Sequence, residues 1–191
     1  MQKPWPYTPL EIEGRDIYIR EGCNNCHSQM IRTFKEEEMR YGPYSRAGEF
    51  EYDFPHLWGS KTTGPDLQKQ GKKYGDIWHY KHMEDPTSMT PKSTMPKYDS
   101  LLRDKLDTSY YTSDKLKVMA KLGVPYSNED IENASNNLNK QAEKIANGIQ
   151  EQGIHVDKSA EIIALISYLQ RLGIDGREAV DSQKTPEGEK K

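Results

Sequence analysis

The stretch EGCNNCHSQM, Glu21 to Met30, holds the chain's two cysteines, three positions apart, with a histidine directly after the second. Several chemistries use a cysteine pair at this spacing. A disulfide over two intervening residues closes too short a loop to remove much chain entropy. A zinc site needs four ligands, and no second close-set cysteine or histidine pair is present. A thioredoxin-like redox pair expects a preceding strand, whereas LEIEGRDIYIREG reads as a short amphipathic helix, with Leu10, Ile17 and Tyr18 near one face and charges on the other. The reading that uses all three residues is a c-type haem attachment site. There, the sulfurs of Cys23 and Cys26 add to the two haem vinyl groups and the imidazole of His27 binds the iron. Two intervening residues let one turn of helix present both sulfurs to the porphyrin edge. Average residue usage gives this pentapeptide about a one-in-a-thousand chance in such a chain. One covalent haem is therefore expected.

A second axial ligand decides what such a haem can do. Histidine with methionine makes a six-coordinate iron of raised potential, suited to electron transfer, whereas an open position allows ligand binding or peroxide chemistry. The candidates downstream are Met83, Met89, Met95, His56, His79 and His82. Met95 leads because STMPKY places it before Pro96, which biases it to extended backbone in a loop able to lay a side chain across a haem face. His82 and Met89 follow. The proximal histidine also needs an acceptor for its other ring nitrogen, and the carbonyl of Pro65 in TGPDL is the candidate.

The elements that must hold these residues are helical. LEIEGRDIYIREG comes first, and SDKLKVMAKLG reads as a shorter helix stopped by Gly123 and Pro125. Ser127 to Gly153 carries a capping signal, Ser127 with Asp130, and apolar residues at helical spacing, so one long helix is expected there. Asp157 is placed to cap the helix of EIIALISYLQRLG, which has the strongest apolar stripe in the chain. Its expected partner is the first helix, where Gly14 permits close approach. No run alternates in the manner of a strand, and DGREAVDSQKTPEGEKK reads as a disordered polar tail.

The 191 residues are 34% apolar and 30% charged, with a net charge of −3. That is lean for a chain packed by burial alone, and it offers no basic footprint for nucleic acid. The run IIALISYL is too short to span a bilayer, which takes about 20 apolar residues. No export signal is visible at the start.

The strings YTPLEIEGRDIYIREGCNNCHSQMIR, RYGPYSRAGEFEYD, WGSKTTGPDL, DPTSM, STMPKY, KLGVPY and EIIALISYLQRLG resemble the mono-haem CcoO/FixO subunit of cbb3-type cytochrome c oxidases, from about Tyr7 to Gly173. The resemblance implies a mainly α, class I cytochrome c fold. It also implies Cys23 and Cys26 as thioether sites and His27 and Met95 as axial ligands. Residues 1–9 then form an N-terminal extension, 10–174 the cytochrome domain with a long helical insertion at about 99–156, between the Met95 loop and the last helix, and 175–191 a tail. Implied partners are the haem b/copper catalytic subunit, the di-haem cytochrome c subunit and a soluble cytochrome c, at the periplasmic face of the bacterial inner membrane. Family members carry a transmembrane anchor ahead of the YTPLE-like segment. Its absence here reads as an anchor removed, a domain cut from a fused oxidase polypeptide, or a natural soluble form, the first two favoured. Arg32 and Arg46 are candidates to pair with haem propionates, and Tyr41 and Trp58 to pack on the ring.

The expected role is electron relay, with oxygen reduction in another subunit. Two alternatives belong to other classes. A freely diffusing cytochrome would use the same ligands without needing the insertion. A haem enzyme or sensor would need an open iron position.

Overall fold

The computed structural model describes residues 4–59, 61–107 and 111–174. They form a mainly α, cytochrome c-like fold with eight α-helices, α1 Pro9–Arg20, α2 Lys35–Tyr41, α3 Asp76–Glu84, α4 Pro86–Met89, α5 Tyr111–Lys121, α6 Asn128–Glu132, α7 Ala134–Gln150 and α8 Glu161–Arg171. Among the described residues the β pairing is one antiparallel bridge, Lys105 with Ala160. None of these helices is long and apolar enough to cross a membrane.

The fold is organised by the crossing of α1 on α8. Thr8 caps α1, its hydroxyl accepting the Glu11 N–H while the Glu11 carboxylate takes the Thr8 N–H, and Pro9 occupies the first helical position. Gly14 lies directly on α8, where a Cβ would fall 1.9 Å from the Ala164 carbonyl oxygen. Only glycine lets two backbones approach this closely. Around that crossing Leu10, Ile17, Ile162, Leu165 and Ile166 are buried. The rings of Tyr18 and Tyr168 lie 5.3 Å apart, and Arg20 Nη1 donates to Glu161 at 2.7 Å, tying the end of α1 to the start of α8.

Three expectations need correction. The charged side of α1 does not face water: Glu11, Glu13 and Arg15 are all buried. The insertion covers Glu13, which accepts from Thr112 at 2.7 Å and from Lys115 at 2.6 Å, whereas Arg15 is met by the segment before α3, its Nη1 donating to the Phe54 carbonyl at 3.1 Å. Charges leave water only when paired in this way. The expected single helix from Ser127 is two, because Asn133, at φ −90° and ψ 7°, breaks the run between α6 and α7, although the Ser127–Asp130 capping box is present. Asp157 does not cap α8, whose N-cap is Ala160. Its carboxylate instead closes a turn, accepting from Ser159 N at 2.9 Å and Ser159 Oγ at 2.8 Å.

The insertion is part of the core. Leu138, Ala142, Ala146 and Ile149 of α7 join the apolar cluster of α1 and α8. Gln141 bridges both, accepting from Thr8 Oγ1 at 2.7 Å and donating to Ser167 Oγ at 2.9 Å. The expected polar tail, 175–191, lies outside the described residues.

Candidate functional site

The C-terminus of α1 delivers the attachment motif. Its last turn closes with Gly22 in the left-handed region at φ +71°, donating to the Ile19 carbonyl at 3.0 Å. The chain then enters a 3₁₀ turn, Cys23–Asn25, and His27 N donates to Cys23 O at 2.9 Å. The two cysteines are not joined in a disulfide, and Cys23 is buried while Cys26 is exposed. Burial pushes the Cys23 thiol up to about 12.

The segment Gly64 to Gln68 is laced along this turn. Gly64 N donates to Cys26 O at 3.0 Å and Leu67 N to Ser28 O at 2.9 Å. The Asp66 carboxylate, buried beneath, accepts from Ser28 Oγ at 2.6 Å, Met30 N at 2.9 Å and Gln68 N at 2.8 Å. Its pKa is raised by burial, against the pull of those three donors. Between these rungs His27 Nδ1 lies 2.8 Å from the Pro65 carbonyl oxygen. That oxygen can only accept, so Nδ1 carries the proton and Nε2 presents a lone pair. Gly64 backs the same ring, where a Cβ would sit 2.2 Å from Cε1.

His27 opens onto a cavity of about 440 Å³ whose walls include Cys23, Cys26, Pro65 and Met95. This lies within the range of prosthetic-group pockets. Met95 is held by Met95 N donating to Ser93 Oγ at 3.2 Å, and its side chain packs against the main apolar cluster. Leu165 and Leu169 of α8 and Met83 of α3 supply the apolar wall. Three polar atoms there are unsatisfied: Tyr18 OH, His79 Nε2 and His82 Nδ1 are buried without a hydrogen-bond partner. An apolar slot with two thiols at its edge, an imidazole lone pair, a thioether and unpaired polar atoms fits a haem in its chemistry. A larger open groove of about 1020 Å³, between the Pro4–Pro9 segment and α5 to α7, carries no cysteine, histidine or methionine.

The four residues expected to pack on or pair with the group are not brought to this cavity. Arg32 is exposed and its guanidinium is held by Glu37, with Nε 2.6 Å from Oε1. Arg46 lies over the Tyr44 ring at 6.0 Å. Tyr41 lies beneath Arg40, 5.1 Å from ring centre to guanidinium. Trp58 stacks on His56 at 4.4 Å and meets Phe50 edge-on. In their stead the walls carry Arg40, Lys73 and Trp78. Of the other ligand candidates, His79, His82 and Met83 line the cavity; His56 and Met89 do not. His79, His82 and Met83 share one face of α3 at i, i+3 and i+4, a spacing visible in DIWHYKHME. Burial lowers the pKa of both histidines, His79 to about 4.

The family model described as "Cytochrome C oxidase, mono-heme subunit/FixO" matches residues 1–175. Comparison with curated proteins finds no match.

Proposed function

The chain belongs to the FixO family of mono-haem cytochrome c oxidase subunits, and from that membership we propose that it is the electron-transfer subunit of a cbb3-type terminal oxidase, carrying one covalent haem c. It takes electrons from the di-haem cytochrome subunit or a soluble cytochrome c and hands them to haem b of the catalytic subunit, at the periplasmic face of the inner membrane. Oxygen reduction belongs to that catalytic subunit.

The observation that carries this reading is the meeting of Cys23, Cys26, His27 and Met95 on one cavity, from segments some seventy residues apart. In it, Cys23 and Cys26 would hold the group through thioethers, and His27 and Met95 would bind its iron. Pro65, by accepting the Nδ1 proton, fixes the His27 tautomer and raises its basicity. Iron held between an imidazole and a thioether supplies one-electron cycling at a raised potential with little rearrangement. Met83 of α3 with Leu165 and Leu169 of α8 make part of the cavity wall apolar.

Visible spectra of the oxidised and reduced protein, with and without carbon monoxide, test the assignment. The expected result is colour that survives acid-acetone extraction, a thioether-to-iron band in the oxidised state that Met95→Leu abolishes, and no carbon monoxide binding by the wild type. Rapid, complete binding to the reduced wild type would defeat the electron-transfer role.

A further inference from the structure

The direction of α3 across the cavity separates its two ends. The N-terminal end is the one away from the thiols: Asp76 Oδ1 accepts from Gln170 Nε2 at 2.6 Å, and Gln170 lies about 14 Å along α8 from Glu161, which Arg20 ties to the attachment-motif end of α1. At the C-terminal end, Met83 O accepts from Tyr98 N at 2.8 Å. One turn back, about 6 Å along the axis, is His79, and ahead of it in the chain Gln70 and Lys73 line the same cavity.

A haem c has its vinyl-derived carbons on one edge and two carboxylates on the opposite edge. With the vinyl edge at Cys23 and Cys26, the carboxylates fall on the side away from the thiols. There His79 is 2% exposed, yet its Nε2 has no partner. Leaving a buried ring nitrogen unpaired costs free energy that a hydrogen bond to an ionised acceptor would recover. His82 differs: its ring is engaged, stacked on Trp78 at 4.6 Å.

We infer that His79 Nε2 donates a hydrogen bond to a haem carboxylate, with Lys73 supplying counter-charge beside it. The inference rests on the haem reading above and assigns His79 to the cofactor's edge rather than to its iron. Loss of this donor leaves the carboxylate charge less compensated, which favours the ferric state.

Spectroelectrochemistry and resonance Raman spectroscopy of the holoprotein test it. His79→Leu is expected to shift the ferrous-to-ferric ratio at fixed potential about tenfold towards ferric, a fall of about 59 mV for a one-electron couple. The carboxylate bending mode should move with it, and His79→Gln, which keeps an N–H donor, should restore most of both. In the wild type that mode should shift in D₂O, a readout that needs no variant. An unshifted mode in D₂O, or His79→Leu with wild-type potential and mode, would overturn the inference. So would a spectrum that stays six-coordinate low-spin in Met95→Leu but turns high-spin in His79→Leu, since that makes His79 an iron ligand. A wild-type protein lacking covalent haem would fail first, on its spectrum, and would bring down the functional reading with it.

Discussion

Gly64→Ala should loosen the proximal histidine without altering it. A Cβ at this position would stand 2.2 Å from His27 Cε1, 2.6 Å from Nδ1 and 2.7 Å from Nε2, whereas ordinary contact begins near 3.4 Å. The ring must therefore retreat by about 1.2 Å, or the Gly64 backbone must lift away from it. The second route breaks the bond from Gly64 N to Cys26 O at 3.0 Å. The first takes Nδ1 off the Pro65 carbonyl, now 2.8 Å away, and beyond hydrogen-bond range. Either way about 1 kcal/mol of net hydrogen bonding is lost, together with the orientation of the imidazole. Outer-shell partners of metal-binding histidines are typically worth about 10–100-fold in affinity. If His27 binds the iron as proposed, the bond to Pro65 makes the imidazole a better donor to the ferric state, and 1 kcal/mol lost from that state raises the potential by about 40 mV, tenfold being about 59 mV and about 1.36 kcal/mol. The assay is a spectroelectrochemical titration of the variant beside a measurement of haem per chain. A variant with wild-type potential and full haem content would refute the claim that this backing positions His27.

Gly14→Ala should be among the most destabilising single changes, about 3 kcal/mol or more by urea denaturation, because its Cβ would fall 1.9 Å from Ala164 O and 2.9 Å from Tyr168 Cβ, neither of them the far end of a flexible side chain. A loss under about 1 kcal/mol would mean that α1 and α8 slide apart easily. Asp157→Asn tests the turn ahead of α8. The Asp157 carboxyl is held well below the usual range, first by the Ser159 N–H, then by Lys105 and the Ser159 hydroxyl. A depressed carboxylate contributes stability above its unfolded pKa, about 3.9, and loses it as pH falls through the folded value. Wild type should thus out-melt the variant at pH 6, with the gap closing on acidification below about pH 4; a gap independent of pH would show that charge plays no part.

Much of the site was legible because it is local or rigid. C-x-x-C-H is a contiguous chemical unit, and Gly-Pro and Met-Pro restrict their own backbones, so Cys23, Cys26, His27, Pro65 and Met95 could be named from type and position. The structure then gathers those five around one cavity. The α1–α8 pairing was legible as well, since the stripe of EIIALISYLQRLG needed a partner and Gly14 marked a close approach. The surrounding residues were not. Arg32 and Trp58 have the right chemistry, but whether a guanidinium meets a carboxylate or an aromatic ring meets a porphyrin depends on where loops return. Arg32 met Glu37, five residues on, and Trp58 met His56.

The amino-acid sequence by itself determined which atoms have the chemistry to bond a cofactor and that the segments of α1, α5, α7 and α8 are helical, because thiol and imidazole chemistry, capping and apolar periodicity are written over a few neighbouring residues. The tertiary structure alone decided which polar groups face the cavity, His79 and Lys73 and not Arg46, and that Glu13 of α1 is covered by the insertion, held by Thr112 and Lys115 about a hundred residues away. Contacts of that range depend on how the helices pack as a whole, and no short window of residues contains that information.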